Sequence, residues 1–169
     1  MFNYKYALIL LLTLSWHGSA VAVNSPQVSM NVAAESVARV VVYYRNLPIT
    51  GNGIDFPLPI DGLSQHFERT SDLFYVVGNV AEAEVLFSDS AFVLLSSKGK
   101  GKINLVGDFI YQNTLSSALV PLQVPVIKNI NEATVATGFK VHFKSDFLAG
   151  NYTQGTYANS FTLLVKPIP

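Results

Sequence analysis

The chain has 169 residues, eleven basic and eleven acidic side chains, no formal net charge and no cysteine. That neutral balance argues against nucleic acid or an anionic membrane as a bulk electrostatic partner, and the missing thiols exclude a disulfide framework. Half of the residues are hydrophobic and only 13% are charged, which excludes a disordered chain and points to apolar surface that becomes covered by something else.

Residues 1–22 read as a secretory leader. Lys5 charges a short n-region, Tyr6–Trp16 form an apolar stretch, and Ala20-Val21-Ala22 is a small-x-small cleavage pattern. The stretch is too short for a membrane span, which needs about 20 apolar residues, so export without membrane insertion is expected. Cleavage removes Lys5, His17 and the single tryptophan, Trp16. Residues 23–169 remain, enough for one domain with a sizeable core.

Residues 23–36 differ in kind from the body of the chain. From Val28 the residues alternate strictly, with Val28, Met30, Val32 and Ala34 on one face and Ser29, Asn31 and Ala33 on the other. A period of two marks a strand with one buried face. Another strand comes directly after it, with no turn residue between them, so the two cannot fold back on each other. The partner of the first is expected elsewhere in the domain or on another molecule.

Val37–Tyr44 is the first body strand, ended by Leu47-Pro48 and Gly51-Asn52-Gly53, whose Asn-Gly pair suits a tight turn. Ile54–Leu58, limited by Pro57 and Pro59, reads as a short edge strand. Phe67–Val77 is a stronger strand, followed by Ala83–Phe87 and Ala91–Leu95 with Ser88-Asp89-Ser90 between them. A polar loop, Ser96–Lys102, leads to Ile103–Tyr111, then Leu119–Ile127, Thr137–Phe143 and finally Thr156–Lys166. Short strands rich in Val, Phe, Tyr and Thr, punctuated about every ten residues, predict an all-β sandwich or barrel. No helix-period segment rivals them and no internal repeat is visible.

Two stretches taken together resemble a known family. The C-terminal LAGNYTQGTYANSFTLLVKP is similar to the closing strand of alternate-class (alpha) chaperone-usher fimbrial major subunits of the colonisation-factor type, and VSMNVAAESVARVVVYYRNLPI is similar to their donor strand running into the first body strand. The middle of the chain follows the family's strand order without sharp motifs. The chain departs from the pattern at Glu35-Ser36, where the family carries a proline.

The resemblance implies an incomplete immunoglobulin-like β-sandwich, residues 37–169, lacking its last strand and completed by the N-terminal extension, residues 23–36, of a neighbouring subunit. Val28, Met30, Val32 and Ala34 would be the donor residues. Val40, Val42, Phe161, Leu163 and Val165 would line the acceptor groove, with Val37, Val41 and Tyr43 competing for the inward face of the first strand. Burial of the four donor side chains contributes on the order of 5 to 10 kcal/mol as an upper bound. The partners implied are identical or related pilin subunits, a periplasmic chaperone and an outer-membrane usher, and the destination is a fimbrium on the cell surface. Head-to-tail addition does not close on itself and so builds a filament.

Other features point to little chemistry. No nucleophile or metal motif occurs, and His66 and His142, each beside a phenylalanine, are expected to face solvent from strands. No cofactor, metal or catalytic residue is expected, and the chain is not expected to be an enzyme. Lys98–Lys102 suits a mobile turn better than an anion site, and the Asn151-Tyr152-Thr153 triplet is expected to carry nothing. The alternative to a polymerising subunit is a secreted, self-contained β-sandwich that binds carbohydrate or protein through its loops.

Overall fold

The computed structural model describes residues 37–169; the leader and the alternating segment with Val28, Met30, Val32 and Ala34 lie outside the described residues. The architecture grows from alternation. Along β7 (Lys102–Tyr111), Ile103, Leu105, Gly107 and Phe109 are buried while Lys102, Asn104, Val106 and Asp108 turn outward. β10 (Phe139–Ser145) repeats this with Phe139, Val141, Phe143 and Ser145 inward. The two pair antiparallel over seven positions, Phe139 opposite Tyr111 through Ser145 opposite Leu105.

The remaining strands are β1 (Val40–Tyr44), β2 (Leu47–Pro48), β3 (Glu68–Thr70), β4 (Phe74–Gly78), β5 (Glu82–Phe87), β6 (Phe92–Ser96), β8 (Thr114–Ser117), β9 (Leu122–Ile127), β11 (Tyr157–Ala158) and β12 (Leu163–Ile168). Their order is β11-β6-β7-β10-β4-β9-β5-β12, with β1 on β4, β2 on β1, β3 on β10 and β8 on β7. The fold is thus all-β, and its only helical turns among the described residues are two short 3-10 pieces, Ile130–Glu132 and Ala149–Asn151.

The path closes over itself in two layers. Phe87 of β5 lies 5.2 Å from Phe92, 5.8 Å from Phe109 and 5.8 Å from Phe143, ring centroid to ring centroid, so the β5-β9-β12 layer packs its aromatic face on the β6-β7-β10 layer. Edge-to-face and offset pairs of this kind add to the area they bury. Val76, Ala83, Val85, Ile103, Phe109, Val124 and Phe139 are all 2% exposed or less and form the closed part of the core.

The structure corrects several boundaries. The tight reversal after β1 is at Arg45-Asn46, both with positive φ (51° and 62°), and it turns Leu47-Pro48 back along Tyr43-Tyr44 as a hairpin. Two successive left-handed residues give the twist such hairpins need. The next turn is closed by Asn52 N–H donating to Ile49 C=O, so it centres on Thr50-Gly51 rather than Asn52-Gly53. Ile54–Leu58 is not a strand; two prolines leave it irregular.

Phe67–Val77 is two strands, because β3 pairs with β10 while β4 turns to β1 and β9. Leu119–Ile127 starts as a strand only at Leu122, and β8 appears ahead of it, folded onto β7 through a second left-handed pair, Gln112-Asn113. Thr156–Lys166 divides into β11 on β6 and β12 on β5. In this last case one apolar run serves two layers, which local periodicity does not reveal.

Candidate functional site

β12 alternates like a strand with one face against a core. Leu163, Val165 and Pro167 turn inward, Leu164 and Lys166 outward. Yet the inward residues remain half-buried, whereas their β5 neighbours Ala83 and Val85 are fully buried. The asymmetry has a direct cause: among the described residues β12 pairs with β5 on one edge only, and β1 runs near its other edge without pairing to it.

Between β1 and β12 the core therefore opens into a cleft of about 750 Å³. Val40 and Val42 form one wall and Leu163 and Val165 the other, with Phe161 in the lining beside Phe143. The structure thus brings all five sequence-predicted groove residues into one cavity. Val40, Val42 and Tyr44 share the inward face of β1, while Val41 and Val37 are exposed, which settles the choice of face. Tyr43 lies on the side of the exposed Val41.

The floor is aromatic. Phe161 approaches Phe92 at 5.1 Å and Phe143 at 5.6 Å, and Phe56 meets Phe143 edge-on at 6.0 Å. Ile49, Thr50, Phe56, Leu58, Phe74 and Phe87 also line the cavity and were missed from sequence. The signal for two of them was present in the Phe56-x-Leu58 spacing, which reads as an edge strand but serves as a flap of apolar side chains. Among the described residues no charged side chain other than Asp55 lines the cleft, so its surface suits apolar, extended chain rather than a charged ligand.

The outer face of β3, β10 and β7 carries the polar side chains. Both histidines are half-buried and held by polar partners rather than open to solvent as expected. His142 Nε2 lies 3.1 Å from Glu68 Oε1 and its Nδ1 3.8 Å from Asp108 Oδ2, while His66 Nδ1 sits 2.7 Å from the Ser145 carbonyl. Ser64 Oγ donates to Glu68 Oε2 at 2.6 Å and Lys144 Nζ stands 3.3 Å from the same oxygen. These contacts hold the Glu68 carboxyl below its ordinary value, the Ser64 hydrogen bond most of all. The cluster crosslinks the 61–68 segment to β10.

In the Ser96–Lys102 loop, Lys98, Lys100 and Lys102 are exposed, and Gly101 packs under the Tyr157 ring, where a Cβ would come within 2.7 Å of the hydroxyl. Asn151 is exposed in the second 3-10 turn. Among the described residues no helix is long and apolar enough to cross a membrane.

No family model and no curated protein matches the chain. A solved structure does. It is a chain from the structure described as "Chaperone-tip adhesin complex is vital for synergistic activation of CFA/I fimbriae biogenesis", aligned with a TM-score of 0.50 at 11% identity. The alignment covers 76% of this chain and 42% of that one, so this chain spans less than half of its neighbour's length. At that identity the likeness is one of fold.

Proposed function

We propose that this chain is a structural fimbrial subunit that polymerises by donor-strand exchange through a chaperone-usher pathway and supports adhesion to surfaces. The observation that carries the reading is the open apolar cleft beside the edge of β12 that no strand among the described residues pairs. A free strand edge flanking uncovered core is a liability that soluble monomers hide, and the simplest way to remove it is to add a strand.

An extended segment with apolar residues at every second position meets both needs of the site. Its backbone pairs with the free edge, and its inward side chains cover Phe161, Leu163, Val165, Val40 and Val42. Residues 28–34 of a second copy, with Val28, Met30, Val32 and Ala34 on one face, have that pattern. A periplasmic chaperone would hold the cleft first and an outer-membrane usher would exchange it for the donor, placing the product in a surface fimbrium. The fold likeness to a chain of a fimbrial chaperone–adhesin complex supports the same reading. On it the chain has no catalytic role and no cofactor.

The test is a size measurement on periplasmic protein, run unboiled beside a boiled sample and beside a deletion of residues 23–36. A ladder of multimers that disappears on boiling and in the deletion is expected. A soluble monomer without any chaperone, indifferent to the deletion, overturns the proposal in favour of a self-contained binding module.

A further inference from the structure

The two walls of the cleft are not equally free. On β12, the Ser88 N–H donates to Thr162 C=O at 2.9 Å, which sets the alternation: Thr162, Leu164 and Lys166 direct their backbone groups to β5, and Leu163, Val165 and Pro167 direct theirs into the cleft. Pro167 has no N–H. The open edge of β12 therefore offers two donors, at Leu163 and Val165, and the ladder ends at Pro167.

β1 is different, because the edge that faces away from β4 is already engaged. Tyr44 is paired with Leu47 across the Arg45-Asn46 turn, the Val42 N–H donates to Thr50 Oγ1 at 2.9 Å, and the Val42 C=O accepts from the Ile49 N–H at 2.8 Å. Of Val40, Val42 and Tyr44 on this edge, Val40 alone has no such contact among the described residues. That arm, Ile49–Asp55, also lines the cavity. A side-chain hydroxyl stands where a strand partner's carbonyl would stand.

The far end of the arm is loosely held. Gly51 has φ +79°, and beyond their adjacent residues neither it nor Gly53 has an atom within 4 Å of where a Cβ would be; Gly51, Asn52 and Gly53 are all exposed. The near end is a rigid two-residue hairpin and the far end a glycine-rich segment in open space.

We propose that residues 47–53 are a built-in latch on this cleft. With the cleft vacant, the latch covers Val42 in cis. A strand entering the cleft pairs first with Leu163 and Val165 of β12 and then competes with Thr50 and Ile49 for Val42, the arm swinging aside at Gly51. The latch protects half of the exposed edge before assembly and favours partners that engage β12 first. This inference rests on the strand-accepting reading of the cleft and concerns its regulation.

The probe is a fluorescein-labelled peptide of residues 25–36, titrated into the full chain and into Thr50→Val, Thr50→Ser and Gly51→Ala, with amide exchange followed at Val42, Leu163 and Val85. One net hydrogen bond corresponds to about a 2- to 10-fold change in an equilibrium. Thr50→Val is expected to bind the peptide tighter by about that factor and to lose Val42 protection by the same factor. Thr50→Ser keeps the acceptor and should behave as the parent. Gly51→Ala forces a side chain into a left-handed conformation, weakens the turn by different physics and should shift binding in the same direction as Thr50→Val. Unchanged protection at Val85 shows that each variant is folded. Equal peptide binding by all four proteins, with Leu163 protected on binding, overturns the latch and leaves the strand-accepting cleft standing. No binding and no Leu163 protection in any of them overturns both.

Discussion

Phe92 and Phe161 meet edge to face, centroids 5.1 Å apart and planes at 83°, and this pair joins the closed core to the open cleft. Phe92 is 2% exposed while Phe161 is half-buried. Truncation should therefore separate the two. Phe92→Ala is expected to cost about 3 to 5 kcal/mol in urea unfolding. Phe161→Ala should cost about 1 to 2 kcal/mol in the unassembled chain, in proportion to its partial burial, and should weaken multimers further by removing surface that an added strand covers.

Val85 and Val165 stand opposite each other across β5 and β12, yet only Val85 is fully buried. An unpaired charge in the closed core costs several kcal/mol, so Val85→Asp should abolish soluble protein. Val165→Asp places the charge in the cleft, where water reaches it. The expected result is a folded monomer by circular dichroism whose boil-sensitive ladder is lost. A ladder as strong as that of the parent would contradict strand addition at β12.

Glu68 titrates below its ordinary value of 4.5 because Ser64, then His142 and Lys144, hydrogen-bond its charged form. A carboxyl depressed on folding adds stability that is present above the unfolded value and is lost as pH falls through the folded one. The contribution should be full at neutral pH and fade from about 4.5 downward. Glu68→Gln is expected to be less stable by about 0.5 to 1.5 kcal/mol at neutral pH, with the gap closing as the parent is acidified through that window. Parallel stability curves for the two proteins would show that Glu68 is not linked to folding.

Gly107 sits on β7 opposite Phe143, and a Cβ there would lie 2.6 Å from the Phe92 ring and 2.8 Å from the Phe143 ring. Both rings belong to the core and neither can retreat. Gly107→Ala should thus destabilise by about 1 to 3 kcal/mol, the usual cost of overpacking, visible as a lower midpoint in thermal unfolding. The exposed Gly150, with nothing near its Cβ position, should accept alanine with little change.

Much of the fold was legible in the residues. The all-β class follows from short alternating runs; the cleft walls at Val40, Val42, Leu163 and Val165 were named on the family resemblance, and alternation alone left the face of the first strand open. Phe56 and Leu58 alternate as well, but two prolines kept them from pairing, so their place in the lining depends on tertiary packing alone. The histidines were misplaced for a related reason. Whether a residue on the outer face meets water or a carboxylate depends on which strand lies alongside, and β3 and β7 bring Glu68 and Asp108 to His142 from 74 and 34 positions away in the chain.

By itself the sequence determined which residues share a face, because side-chain alternation is a local property of extended backbone; which face of β1 turns inward was decided by the structure. Only the tertiary structure decided that the last run breaks to serve two layers, that the reversal after the first strand falls at Arg45-Asn46, and that Thr50 folds back on Val42. Those outcomes depend on which edges are vacant once the layers have met, and a vacant edge is a relation between distant strands.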